Sequence, residues 1–348
     1  MTDAADATPE LAVRAYVPSD RDALLALIRK VWSHKANVEA KFEDRYWWRL
    51  ETPPIFLVEE VGERQLVGLC AYIPFDLWCW GKRIPGAWFV DFFVLSQYQG
   101  KGLGRRLTTI VQERFQLTAS LSQSDIAFRV FRKAGWTDRS YARLCVHPFP
   151  RVLSCLARIS DVYVRCLPAD RASEVASDLD SLWETVRDRF GLLSVRDSVS
   201  IAKRFVSTPQ REYTLLLAYR KQKLVGYMVV RMANPSSASK RPRVGLMVDY
   251  LADPKDGVAF RTLLGEASWL LVRLGAKRCY CLATHPCFQK VLARLGFLSA
   301  ATPVLGRRLK SFDLGLTYFD SAESNGIDPR SWFLTMADCD IDSAWYQD

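Results

Sequence analysis

The run Val90-Asp91-Phe92-Phe93-Val94-Leu95-Ser96-Gln97-Tyr98-Gln99-Gly100-Lys101-Gly102-Leu103-Gly104-Arg105-Arg106 constrains the fold more than any other part of the chain. An apolar strand runs into a glycine loop. The loop opens a helix with apolar positions at Leu103, Leu107, Ile110 and Val111, then Phe115. The first N–H groups of a helix have no partner within it, and the helix dipole is positive there. Glycines alternating with Lys101 and Leu103 let several amides turn inward together, which makes a nest suited to phosphate. Gly102 and Gly104 carry no Cβ, so a diphosphate is expected to approach the backbone at both. A dinucleotide loop spaces its glycines G-x-G-x-x-G and normally follows the first strand of its domain, which disfavours it here. A triphosphate loop is excluded because no Gly-Lys-Ser/Thr follows.

Gln99-Gly100-Lys101-Gly102-Leu103-Gly104 resembles the Q/R-x-x-G-x-G/A signature of the GNAT N-acyltransferases, which bind acyl-coenzyme A. The resemblance implies a mixed α/β (α+β) fold, a central sheet flanked by helices. It implies acetyl-CoA or another acyl-CoA as co-substrate, no metal, and direct transfer of the acyl group to an amine. It assigns the diphosphate to the amides of Gln99, Gly100, Lys101, Gly102, Leu103 and Gly104, with charge from Lys101 and Arg105. It assigns the oxyanion to a backbone N–H at Val94 or Leu95. The attacking amine must lose a proton. Asp91, in an otherwise apolar strand, is the candidate base, since burial raises a carboxyl pKa. Many family members use a tyrosine four residues before the glycine of a Gly-Phe/Trp motif as the acid toward the leaving thiolate. Phe131 stands there in this chain, so the proton for the thiolate is expected from Ser124 or from solvent.

The chain also repeats its punctuation. Pro18-Ser19-Asp20-Arg21 recurs as Pro168-Ala169-Asp170-Arg171, Leu66-Val67-Gly68 as Leu224-Val225-Gly226, and Val90-Asp91-Phe92 as Val248-Asp249-Tyr250. Thr52-Pro53 recurs as Thr208-Pro209, and Gly135-Trp136 as Gly296-Phe297. Preserved order at a near-constant offset argues for two tandem copies of one fold. The expected organisation is a disordered tail over 1–10, a domain with an intact acyl-CoA loop over 11–148, a linker over 149–162, and a degenerate domain over 163–348. The second domain is expected to be degenerate because Phe260 and Thr262 stand where Gly102 and Gly104 stand. Recurrence of Asp91 as Asp249, in the half without a glycine loop, favours a structural role for both. The last residues, Trp332 to Trp345, are expected to return to the sheet as a strand.

Nine cysteines, an odd number without a C-x-x-C pair, argue against a disulfide framework or a zinc site. Three histidines far apart give no metal constellation. No apolar run approaches a membrane span and no signal peptide is visible, so the chain is assigned to the cytoplasm. A formal charge of +10 suits a polyanionic partner. Coenzyme A accounts for Lys101, Arg105 and Arg106, and for Arg129, Arg132 and Lys133. The segment His34 to Arg49, rich in aromatic and charged residues, is a candidate wall for a small-molecule or sugar amine. Two alternatives remain open: a transferase that uses aminoacyl-tRNA, and a protein that binds coenzyme A without catalysis.

Overall fold

The computed structural model describes residues 9–33, 39, 42, 53–121, 123–156, 161–206, 211–233, 242–299, 302, 313–320, 332–339 and 341–342. Most of the expected tail and nearly all of the segment His34 to Arg49 lie outside these residues. The first half runs β1 (Leu11–Ala15), α1 (Arg21–Val31), β2 (Ile55–Glu60), β3 (Gln65–Cys79), β4 (Lys82–Val94), α2 (Leu103–Gln112), β5 (Leu117–Leu121) and α3 (Asp125–Lys133). After it come β6 (Thr137–His147), α4 (Pro150–Leu156), β7 (Tyr163–Pro168), α5 (Ala176–Val186), β8 (Leu192–Ser194) and α6 (Ser198–Arg204). The chain continues with β9 (Thr214–Arg220), β10 (Lys223–Ala233), β11 (Val244–Ala252), α7 (Gly257–Arg273), β12 (Arg278–Ala283), α8 (Pro286–Arg294), β13 (Asp313–Asp320) and β14 (Trp332–Phe333).

The duplication is written into the backbone. In β3 an extra residue, Val67, faces β2, and in β10 its counterpart Val225 faces β9. Val90 is the extra residue of β4 against β3, and Val248 that of β11 against β10. A bulge bends its strand and adds twist. Parallel pairing of β4 with β5 covers Gly86 to Phe89 and ends just before Val90. Pairing of β11 with β12 covers Val244 to Met247 and ends just before Val248. Each half therefore holds a split where two parallel strands part. Helices α3 and α8 also end alike. Gly135 (φ +88°) and Gly296 (φ +83°) take the left-handed conformation, and the next amide returns to Phe131 O and Leu292 O at 3.0 Å in each case.

The two sheets are joined by exchanged strands rather than set side by side. Strand β6 crosses into the second half, where Arg143–His147 pair antiparallel with β12. Strand β13 returns and lies between β5 and β6, antiparallel to both. The path β1-β2-β3-β4-β5-β13-β6-β12-β11-β10-β9-β7 is thus one continuous sheet. Packing follows the exchange, since Ala142, Leu144 and Leu153 belong to the core of the second half. The expected linker contains α4, which packs on α7. In the first half, α2 and α3 cover one face of the sheet over Val67, Cys70 and Phe89, and α1 covers the other over Leu57, Leu69 and Ala71.

Candidate functional site

The glycine loop has the form that its sequence requires. Gly100 (φ +82°) and Gly102 (φ +78°) are left-handed, and a Cβ on either would meet open space. Gly102 is the N-cap of α2 without a capping side chain. The first amide to close onto the helix is that of Arg106, to Gly102 O at 3.1 Å. Among the described residues, the amides of Gly102, Leu103, Gly104 and Arg105 meet no protein acceptor. Four donors thus converge at the positive end of α2. Gly104 plays a different part from the one expected. A Cβ there would lie 3.3 Å from Val130 Cγ1 and 3.4 Å from Phe92 Cζ. Its missing side chain lets α2 pack against α3 and β4, and does not open a path for phosphate.

Two contacts anchor the loop, and the sequence disclosed neither. The buried Tyr98 donates its hydroxyl to the Glu60 carboxylate at the end of β2, and Lys101 Nζ lies 5.6 Å from the centre of the Tyr98 ring. The phenol pKa is raised, first by this bond to Glu60. Gln99 Nε2 donates to Val94 O at 2.9 Å, which draws the loop onto the end of β4. Lys101, Arg105, Arg106, Arg129, Arg132 and Lys133 are exposed. Arg132 and Lys133 also stand in the last turn of α3, where a cation complements the helix dipole.

Strand phase separates the two proposed oxyanion donors. The Leu95 amide donates to Val67 O at 2.8 Å, so it is already engaged and is withdrawn as a donor. Backbone groups of successive strand residues point to opposite edges. The Val94 N–H therefore points to the other edge of β4, where β5 has already parted. Asp91 pairs across from Ala71 and so shares the α1 face of the sheet. It is partly exposed, and its carboxylate adds to the burial that pushes up the Cys70 thiol. Ser124 is exposed and caps α3, its Oγ accepting from Ala127 N at 3.3 Å. Phe131 is buried, with its ring stacked on Trp136 at 4.3 Å.

The corresponding split in the second half is filled. Residues 253–256 make the turn that residues 95–102 make in the first half. The shorter turn places Phe260 and Thr262 inside α7, both buried, so they do not replace the loop glycines as expected. The helix start is closed instead by its own N-cap. Asp256 Oδ1 accepts from Ala259 N at 3.1 Å, and Arg220 Nη1 donates to Asp256 Oδ2 at 2.6 Å. Tyr250, Phe260, Phe288 and Phe333 pack with ring centres 4.6 to 5.6 Å apart. Tyr250 also donates to Leu282 O at 3.1 Å, spanning β11 and β12. Asp249, fully buried, accepts from Arg196 Nε at 3.0 Å, Tyr227 Oη at 2.8 Å and Thr335 Oγ1 at 2.7 Å.

His147 and His285 are half-buried or buried and serve structure. His147 Nε2 donates to Leu295 O at 2.9 Å, and His285 caps α8. Among the described residues no cluster of three or more His, Cys, Asp or Glu could hold a metal. All nine cysteines are free thiols. No helix of the described residues is long and apolar enough to cross a membrane.

Residues 21–136 match the model of the Acetyltransferase (GNAT) family. No curated protein matches the sequence. Among solved structures, a GCN5-related N-acetyltransferase from Anabaena variabilis superposes with a TM-score of 0.58 at 11% identity, covering 89% of this chain and 72% of that one. A second, from Kribbella flavida, gives 0.57 at 15%, covering 89% and 71%. N-myristoyltransferase of Saccharomyces cerevisiae, solved with myristoyl-CoA and inhibitors, gives 0.58 at 14%, covering 94% and 85%. At these identities the likeness concerns the fold, two such units in one chain.

Proposed function

We propose that this chain, whose residues 21–136 form a domain of the GNAT acyltransferase family, transfers an acyl group, in the simplest case acetyl, from coenzyme A to the amine of a small molecule or sugar. The observation that carries the proposal is the set of unpartnered amides at Gly102, Leu103, Gly104 and Arg105, at the mouth of a split with the Val94 N–H along its edge. The amides hold the diphosphate, and Lys101 and Arg105 add charge. The pantetheine arm lies in the split between β4 and β5, and Val94 N–H faces the thioester oxygen. The acceptor approaches from the α1 face.

The amine nitrogen attacks the thioester carbon, the C–S bond breaks, and the thiolate leaves. Asp91, on the α1 face just past the bulge, takes the proton that the amine loses. The thiolate needs a proton from elsewhere, because Phe131 has no hydroxyl. Ser124, whose Oγ accepts from Ala127 N and still carries its own hydrogen, donates a hydrogen bond to the leaving sulfur in this proposal, and solvent supplies the proton that the thiolate takes up. The second half binds no coenzyme A, since Asp256 occupies its helix start and four aromatic rings fill its split. Localisation in the cytoplasm belongs to the same proposal.

Acetyl-CoA offered with a panel of primary amines, including glucosamine and aliphatic diamines, tests this reading by release of free thiol. The expected result is turnover with at least one amine and its loss in Asp91→Asn. Acetyl-CoA binding without turnover on any amine would leave a coenzyme A-binding protein. Salt-sensitive tRNA binding with no response to acetyl-CoA would leave the aminoacyl-tRNA alternative.

A further inference from the structure

Asp249 is the counterpart of Asp91, each the residue after the bulge at which its strand leaves the parallel neighbour. It is no longer accessible. Arg196, wholly buried, holds it, and the same guanidinium donates from Nη2 to Asp338 Oδ2 at 2.7 Å and Thr335 Oγ1 at 3.1 Å, and from Nη1 to Ser194 O at 3.0 Å. Asp338 Oδ2 accepts in addition from Thr335 N at 2.6 Å. The Asp338 carboxyl is kept below the ordinary range against its burial, by Arg196 and Arg204. A buried arginine held by two carboxylates tolerates no displacement of either without a stranded charge.

The segment fixed by this clamp alternates as a strand does. Phe333 packs into the core of the second half. Trp332 and Leu334 point the other way, into a cluster with Leu77, Trp88, Leu117 and Ala119 of the first half. The Trp332 ring stacks on that of Trp88 at 5.3 Å. Trp88 precedes Phe89, the last residue of β4 paired with β5, and Val90 and Leu121 pack against the same cluster. Neither indole N–H finds an acceptor among the described residues, so packing alone sets the stack. The segment therefore lies under the point where β4 and β5 part, on the face that Asp91 shares.

We infer that the Arg196–Asp249–Asp338–Thr335 clamp is a positioning device for the first half. The aspartate of the closed split fixes the segment 332–338, and that segment sets the floor of the acceptor side of the open one. The inference rests on the transferase reading for its functional consequence and on packing alone for its structural one.

Thr335→Val tests it. The substitution keeps the shape and removes the hydroxyl that links Arg196 to Asp249. Asp249→Asn is a second, more disruptive variant. The near-ultraviolet circular dichroism of the Trp88–Trp332 pair, identified by its loss in Trp332→Phe, reports the stack. Calorimetry reports acetyl-CoA affinity, and thiol release reports the acceptor KM with the amine that the wild-type protein uses best. The expected result for folded Thr335→Val is loss of at least half the coupled band, an acetyl-CoA Kd within twofold of wild type, and an acceptor KM raised at least fivefold with kcat within twofold. An unchanged band overturns the clamp, whatever the activity. A lost band with an unchanged acceptor KM, or with acetyl-CoA affinity falling in parallel, overturns its role in positioning the acceptor side. Wild-type protein that binds no acetyl-CoA fails the transferase reading instead, and the band still decides the clamp.

Discussion

Gly102 and Gly104 look alike in sequence, and the structure predicts opposite outcomes on substitution. At Gly102 a side chain meets left-handed backbone, with φ at 78°, and open space. The backbone cost of a residue with a Cβ there is roughly 1–2 kcal/mol. In Gly102→Asp the added carboxylate would face the bound diphosphate, with a separation of about 4 Å taken for the charge estimate. Two unit charges at that distance repel by about 4 kcal/mol at an effective dielectric constant of 20. Partial exposure to solvent reduces this, and a loss of roughly 100-fold in acetyl-CoA affinity is expected, about 2.7 kcal/mol. Gly104→Ala places its Cβ 3.3 Å from Val130 Cγ1, away from the nest, so the neighbour must give slightly. Alanine is favoured over glycine within a helix by about 1 kcal/mol, which offsets the crowding. Affinity should stay within about threefold of wild type, since the Gly104 amide remains in place. Isothermal titration with acetyl-CoA reads both variants, and thermal melts control for folding. Equal loss in the two variants would refute the assignment of separate roles, and unaltered affinity in Gly102→Asp would refute the phosphate site.

Tyr98→Phe should raise the acetyl-CoA Kd by roughly three- to tenfold, the weight of about one hydrogen bond, with little change in melting temperature. Unaltered affinity would show that the Glu60 contact does not hold the loop. Stability should fall as pH drops below about 6.5, the ordinary imidazole value. Burial lowers the pKa of His147 and His285 in the fold, so the unfolded chain takes these protons first. The stability they contribute is whole above the unfolded value and is lost as pH falls through the folded ones. His147→Gln should flatten part of the slope of melting temperature between pH 7.5 and 5.5, and an identical slope would contradict the argument.

Some of this protein could be read directly from its sequence. The glycine loop was legible because left-handed residues at 100 and 102 demand glycine, and the repeat because each bulge and each helix end needs its own residues. Phe260 and Thr262 were misplaced because the second turn is shorter, which shifts any ungapped comparison from turn to helix. The engagement of Leu95 depends on strand phase against β3, and residue type does not encode that. The packing role of Gly104 was not legible because a glycine that admits a ligand and one that admits a neighbouring helix have the same signature. The exchange of β6 and β13 pairs residues far apart in sequence, such as Thr137 with Tyr318. Apolar periodicity gives a strand but not its partner. Arg196 gave no signal at all, because its carboxylates lie at 249 and 338 and only the fold brings them together.

The central claim is that α2 presents amides with no protein acceptor among the described residues to a coenzyme A diphosphate, while the start of α7 is closed by the Asp256 carboxylate. Amide nitrogen–proton correlation spectra of the labelled protein, titrated with coenzyme A, address it residue by residue. The account predicts that Val94 and Gly100 to Arg105 shift and saturate together, and that Gly257 to Phe260 stay still. Shifts confined to the start of α7, or an undisturbed glycine loop at saturating coenzyme A, would contradict it.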